Sequence, residues 1–530
     1  MPDRTTDCSH VLLVPFAAFG HTRPVSAVAA RLVLEKENVV LTFFATPHQI
    51  EQVRKDISNQ FPESLISSDV KEKALKRIRV VTTFKSTDSN DFHLSMSSSE
   101  SYPAAYETLY RGRPFTCATT GEVFDAVPPP VAVVIDLCAL PQLQATRAIS
   151  GTSVPIIAIL PGPSSSFIRC FAPPTLGGIG LGKTLDDEAA RLGVSPDELG
   201  NKLYKHTEGK IIKIAGLPDM YDYEFFPQKL PFETFIVAIL RGACQFVEEC
   251  DGVLIPSSHS YEDASLNQMK SWFKTLPQNP LPLFAVGPLL PPGYGRHSIE
   301  RPESEKSRGE RDVQAFLEEM QAKHGERSVV FISFGTVFWP SAPGYIDEVI
   351  NALIDKGVPF ILCLASPFVQ LSEEFLNNVK ASGLGLMTTW APQQYVLNHP
   401  ATGWFLTHAG NGGVTESLGS GVPMICWPFA IDQPTISAHL SCNLKVAFEL
   451  VEVRTGSDGS QPMLRNGRAP KGTREAVGEE FRQIIDACRG EQGEELRRNA
   501  KEFQRKFEKA WEEGGEAKQE LKAFLARFVL

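Results

Sequence analysis

Short, largely apolar runs recur along the chain, and each ends in a small or polar residue. In the first half they fall at 10–15, 38–45, 77–84, 131–135, 154–160, 252–256 and 283–286. Runs of this length read as strands buried on both faces. Helical spacing between them, as at 25–32, predicts an α/β fold built on a doubly wound parallel sheet. The pattern restarts with a helix at 312–323 and strands at 328–334, 358–363, 385–389, 403–407 and 422–427. From Thr473 onward the spacing is helical and highly charged. A chain of 530 residues exceeds what one core usually organises, so two domains are expected. Between them 291–311 is rich in Pro, Gly and mixed charge and reads as an exposed linker. The expected division is therefore 1–290, the linker, 312–510, and a last helical segment at 511–530. Two stretches, 85–115 and 164–231, are too long for simple connections and read as lids and pocket walls.

Composition narrows the function. A formal net charge of −10 argues against a nucleic-acid partner. Ten cysteines lie scattered with no C-x-x-C pair and no metal-ligand spacing, which fits a reducing compartment. Asp3, Arg4 and Asp7 run directly into the first strand, unlike a secretory signal. No apolar run approaches the ~18 residues of a membrane span. The expectation is a cytoplasmic monomer with no membrane insertion.

The densest chemistry lies between Trp390 and Gln433. The apolar run 403–407 ends at His408, and Ala409-Gly410-Asn411-Gly412-Gly413 follows before a helix opens at Val414. Strand, glycine turn and helix start aim free N–H groups and a positive helix end at an anion, so this reads as a phosphate site with His408 as a side-chain donor. A dinucleotide fingerprint, G-x-G-x-x-G, fails because Thr415 stands where its last glycine belongs, and no G-x-x-x-x-G-K-[ST] motif is present. Glu416, expected in the helix's first turn, can accept both hydroxyls of a ribose. Trp390 offers a flat surface for a base, and Gln393 can read a base edge. Asp432-Gln433, after the strand at 422–427, suits a polyhydroxylated ring.

The sequence WAPQ, HPATGWFLTH, the glycine turn, ES, GVP, WP and DQ over 390–433 resembles the signature box of the family 1 UDP-glycosyltransferases, of the plant secondary-product type. The resemblance implies a GT-B fold, two facing Rossmann-like domains with the active site in the cleft. It implies Trp390 stacked on uracil, with Ala391 beside it and Gln393 on the uridine. His408 would bind a diphosphate oxygen, Glu416 the ribose, and Asp432 and Gln433 the transferred sugar. Gly335 and Thr336, in the small-residue turn after 328–334, would face the donor. The final helix would cross back to the first domain. The turn departs from the family's H-C-G-W-N-S. Its Asn and Ser are glycines here, so backbone amides of Gly410, Asn411, Gly412 and Gly413 carry more of the phosphate binding.

The chemistry needs a base. The first strand ends in Pro15-Phe16-Ala17-Ala18-Phe19-Gly20-His21, which sets His21 at the sheet's carboxyl edge. A histidine can take a proton from an alcohol near neutral pH, and does so better when a carboxylate fixes its tautomer. Asp136 follows the strand at 131–135 on the same edge, and a charge in that position needs a partner. His21–Asp136 is thus the expected dyad, matching the family's catalytic pair. No D-x-D sequence occurs in the chain, so cation-free catalysis with no cofactor is expected. Phe16, Phe19 and Phe167 are candidate acceptor-pocket residues, from a wider set that includes Phe171, Phe225 and Phe226. The favoured activity is inverting transfer of a sugar, glucose before xylose, from a UDP-sugar to a lipophilic small-molecule hydroxyl. A catalytically silent sugar-nucleotide-binding protein and a nicotinamide-dependent oxidoreductase are the alternatives. The oxidoreductase would leave Trp390, Gln393, Asp432 and Gln433 unexplained.

Overall fold

The computed structural model describes residues 8–88, 90–230, 235–276, 280–295 and 308–529. Two large parallel sheets organise it. The first has seven strands: β1 (Ser9–Val14), β2 (Val39–Phe44), β3 (Ile78–Val81), β4 (Ala132–Asp136), β5 (Ile156–Ile159), β6 (Gly252–Ile255) and β7 (Leu283–Ala285). Their order is β7-β6-β5-β4-β1-β2-β3. Val11 lies opposite Leu41 on one side and Ala132 on the other. The second has six: β8 (Val329–Ser333), β9 (Phe360–Cys363), β10 (Gly385–Thr388), β11 (Thr402–Thr407), β12 (Met424–Cys426) and β13 (Ala447–Glu449), in the order β10-β9-β8-β11-β12-β13. The central strands are buried along their whole length because helices cover both faces of each sheet.

Every expected strand is present within a residue or two at each end or, at 77–84, three. Asp136 is the last residue of β4 rather than the residue after it. β13 was not expected; it is three residues long, too short for a periodicity to register. Three helix starts differ. The helix expected at 312–323 begins at Arg308. The helix after β1 is α1 (Phe19–Glu35), which begins before the expected 25–32 and carries Pro24 inside it. Proline normally marks a first helical position, and here a full turn precedes it. The helix after His408 is α3 (Asn411–Ser420), so Asn411, Gly412 and Gly413 are its first turn and Glu416 sits in its second. Glycines read as a turn, yet at a helix start they cost little and leave free N–H groups.

The long stretches are not irregular. Most of 85–115 is the helix Asp91–Tyr110, and 164–231 contains the helices Ser164–Phe171, Lys183–Leu192 and Pro196–Lys205. Serine-rich composition and Pro103 hide the first of these. Residues 296–307 of the expected linker, and residue 231, lie outside the described residues. The last helix, α4 (Glu516–Phe528), does cross back. Phe524 and Phe528 pack on Phe284 of β7, at 5.7 and 6.1 Å between ring centroids. Among the described residues no helix is long and apolar enough to cross a membrane.

Candidate active site

Each sheet has one point where successive strands diverge to opposite sides, and ligands sit in the crevice at the strands' carboxyl ends there. In the first sheet that point lies between β1 and β4. His21, in the first turn of α1, and Asp136, ending β4, meet at it. His21 Nδ1 donates to Asp136 Oδ2 at 2.9 Å. The Cys138 N–H donates to the other carboxylate oxygen, also at 2.9 Å. Asp136 is only 1% exposed, so its geometry is fixed. With Nδ1 donating, Nε2 is the acceptor nitrogen of the neutral ring. The Phe16 ring lies 5.3 Å from the imidazole. Cys138 Sγ comes within 4.8 Å of the pair. Burial, with the Asp136 charge beside it, pushes that thiol well above its usual range.

In the second sheet the divergence lies between β8 and β11, and Gly335 and His408 follow those strands. Gly335 has a positive φ of 73°, and a Cβ there would stand 3.0 Å from the His408 ring. A Cβ on Gly410 would stand 2.4 Å from His408 Nε2. The imidazole is thus sandwiched between two glycine backbones. Burial pushes His408 down to about 4, with a backbone hydrogen bond to Ser333 offsetting part of that, so the ring is neutral. Ala409 and Ile431 adopt left-handed backbone, at φ 64° and 60°, beside His408 and Asp432. Such strain in non-glycine residues concentrates at functional sites.

No side chain caps the start of α3. One turn further in, Glu416 accepts from Gln393 Nε2 at 2.6 Å on one oxygen, and from Gln394 Nε2 at 2.9 Å on the other. Arg23 Nη1, from α1 across the cleft, lies 2.6 Å from that second oxygen. Trp390, just past β10, is 46% exposed, and the Phe19 ring meets it edge-on at 5.7 Å. Gln433 Oε1 accepts the N–H groups of Phe429 and Ala430 at 2.8 and 3.2 Å, which holds the turn carrying Asp432. Burial pushes Asp432 up to about 6, while the Asp432 and Asn411 N–H groups and the charge of His21 pull it down. Asp432 and His21, from the two halves, line the same cavity.

One cavity of about 590 Å³ gathers these groups. His21, Phe16, Phe19, Phe167, Gly335, Thr336, Trp390, Ala391, Gln393, His408, Gly410, Asn411, Gly412, Gly413, Glu416, Asp432 and Gln433 all line it. Asp136 stands behind His21. Phe19 faces Trp390 rather than the Phe16–Phe167 wall. Phe171 lines the cavity; Phe225 and Phe226 do not. Phe225 lies 4.3 Å under the Arg169 guanidinium, and Phe226 packs against Tyr204 at 5.3 Å. Arg23 and Gln394 are site residues that sequence reasoning did not single out. Gln394 adjoins Gln393 within the signature box. Arg23 carried only a weak signal, a cation two residues after His21 at a helix start.

Residues 306–459 match the family model described as UDP-glucoronosyl and UDP-glucosyl transferase. The chain is 29% identical to the UDP-glycosyltransferase eriJ of Hericium erinaceus, over 98% of this chain and 99% of that protein. It is 31% identical to UDP-glucosyltransferase 45 of Panax ginseng, over 47% of this chain and 51% of that one. Among solved structures, Phytolacca americana UGT2 complexed with UDP-2-fluoro-glucose and pterostilbene superposes with a TM-score of 0.64 at 18% identity, over 99% of this chain and all of that one. The two facing parallel sheets are the GT-B fold of these solved structures, and the chain is similar to UDP-glycosyltransferases over nearly its whole length.

Proposed function

We propose that this enzyme transfers a sugar, glucose by preference, from its UDP conjugate to a hydroxyl of a lipophilic small molecule, with inversion. The observation that carries the reading is the placement of the His21–Asp136 pair opposite Asp432 and the open start of α3 in one cleft. Residues 1–290 would hold the acceptor and 312–510 the nucleotide. His21 Nε2 takes the acceptor's proton as its oxygen attacks the anomeric carbon. The bond from that carbon to the diphosphate breaks on the opposite face, so one displacement inverts the centre. Asp136, buried and aligned on Nδ1, stabilises the imidazolium that forms. The leaving UDP gains negative charge beside His408 and the free N–H groups of α3, donors already in place and worth more where water is excluded.

Trp390 and Gln393 take the uracil, Glu416 the ribose, Asp432 and Gln433 the sugar. The names of the relatives support a glucosyl donor, and the pterostilbene held by the Phytolacca neighbour supports an aromatic acceptor against Phe16 and Phe167. We assign the chemistry to these side chains without a metal ion, because helix N–H groups and His408 meet the charge of the leaving group. All ten cysteines are unpaired, which fits a reducing, cytoplasmic setting.

The test is UDP release with UDP-glucose, UDP-xylose and a panel of phenolic, terpenoid and steroid alcohols. Acceptor-dependent release is expected, and His21→Ala should lower it by about 10²–10⁴-fold, the usual worth of a positioned base. Binding of UDP-glucose with no release from any acceptor would instead favour a silent nucleotide-binding protein.

A further inference from the structure

The start of α1 touches two of the three residues assigned to the nucleoside. Phe19 meets Trp390, and Arg23 meets Glu416. These contacts cross the cleft from the acceptor half to the donor half. The Glu416 carboxylate is 4% exposed and Arg23 is 28% exposed, so the pair is sheltered but open to a ligand on one side. The same oxygen of Glu416 that meets Arg23 also accepts from Gln394, and the other oxygen is taken by Gln393. Two ribose hydroxyls therefore need the place that Arg23 holds.

Arg23 has a second carboxylate within reach of its charge. Asp56 lies on α2 (Ile50–Ser58), in the same half as Arg23, and lines the same cavity. Burial raises its carboxyl, and Arg23 is the largest influence opposing that rise. Gln52 donates to Asp56 Oδ1 at 2.8 Å and holds it in position. Arg23 is thus paired with one carboxylate across the cleft and shares the cavity lining with another on its own side.

We propose that Arg23 is a positioning residue that exchanges partners when the donor binds. In the empty enzyme it occupies Glu416; ribose hydroxyls displace it, and it passes to Asp56. The proposal rests on the nucleotide reading of Glu416. Because His21 lies two residues from Arg23 on the same helical turn, the exchange ties donor binding to the setting of the base. Donor then binds before acceptor. Arg23 competes with the nucleotide for Glu416, so its loss strengthens binding, the opposite of what the loss of a ligand-gripping cation would do. No bond to carbon is made or broken in the exchange; only ion pairs and hydrogen bonds change hands.

The experiment is calorimetric titration of UDP into wild type, Arg23→Met, Asp56→Asn and the double variant, with kcat and the KM for UDP-glucose alongside. Arg23→Met is expected to bind UDP about three- to tenfold more tightly, the worth of a sheltered ion pair that no longer has to be displaced. Its kcat is expected to fall while its KM for UDP-glucose also falls. Asp56→Asn, which removes the alternative partner, should weaken UDP binding. The double variant should behave as Arg23→Met, because the two act through one another. Arg23→Lys, which keeps the charge, should stay near wild type and guards against misfolding of the methionine variant. If wild type binds UDP and Arg23→Met binds it equally or less well, the exchange is overturned and the nucleotide site stands. If none of these proteins binds UDP, the nucleotide reading of Glu416 falls, and the exchange falls with it.

Discussion

Burial disfavours the charged form of both Asp432 and His408, yet it moves their contributions to stability in opposite directions. Asp432 is raised from 3.8 to about 6. Between those values the folded chain holds a proton that the unfolded chain has lost, so this contribution falls as pH rises through the window. His408 is lowered from 6.5 to about 4. There the unfolded chain holds the extra proton, so this contribution is present above 6.5 and is lost as pH falls toward 4. The two oppose each other in the wild type, and differences against variants separate them. In thermal unfolding followed from acid to neutral pH, the midpoint of wild type minus that of Asp432→Asn should decline across the Asp432 window. The midpoint of wild type minus that of His408→Gln should climb across the His408 window. A flat difference for either variant would mean that its side chain titrates as it does in water. A bound sugar reverses the Asp432 preference, since its hydroxyls donate to the ionised form. Affinity for UDP-glucose relative to UDP should therefore rise as pH passes about 6, and Asp432→Asn should remove that rise.

At the scale of one element, α3 sets two needs against each other. Gly410 caps it with φ −69°, a backbone any residue can adopt, so only the 2.4 Å approach of its Cβ position to His408 Nε2 forbids a side chain. Gly410→Ala should swing the imidazole away and cost UDP affinity on the order of tenfold, the loss of one charge-assisted hydrogen bond. Gly412 has open space around its Cβ position. Gly412→Ala should raise the unfolding midpoint, since alanine gains up to about 1 kcal/mol over glycine inside a helix. It should also weaken UDP, because the methyl group enters the space left for a phosphate. Stability and affinity moving in opposite directions would show that the helix start is kept weak for its ligand. The start of α3 was not legible in the sequence, for the same reason that it works: glycines that read as a turn are the first helical turn. The strands were legible because a strand buried on both faces has to be apolar along its length. The His21–Asp136 contact was legible because both residues lie at the carboxyl edge of the first sheet, where the chain leaves the core. Arg23 on Glu416 was not, since nothing local in Phe19–Arg23 shows which groups of the other half will face it. Which of the phenylalanines line the cavity was not legible, because an aromatic residue reads the same in a pocket wall and in a packed interior.

At the scale of the whole molecule, the halves are joined by small apolar clusters, such as Met220 and Phe225 against Ala438, and by polar contacts around the cleft. Ser166 and Thr435 hydroxyls meet at 2.6 Å, and Asn411 reaches the Pro161 carbonyl at 3.4 Å. Away from the cleft, Arg465 pairs with Glu224 of the first half and lies 2.5 Å from Glu449 of the second. The Glu224 carboxylate also accepts the N–H groups of Tyr221 and Leu464, each at 2.9 Å. All three charged side chains are 6% exposed or less. Such a cluster contributes little net stability when complete, but removing its cation leaves two buried carboxylates with only the Arg454 guanidinium to offset them. Arg465→Met should therefore destabilise by about 3–5 kcal/mol, far more than Arg23→Met, whose partner Glu416 keeps its two glutamine donors. Thermal and urea unfolding of the two variants side by side measures the contrast. Adding Glu224→Gln and Glu449→Gln to Arg465→Met then identifies the cause. Recovery of the midpoint in the triple variant assigns the loss to the stranded charges. No recovery assigns it to the packing of Arg465 itself, and would make this contact between the halves a matter of shape rather than of charge.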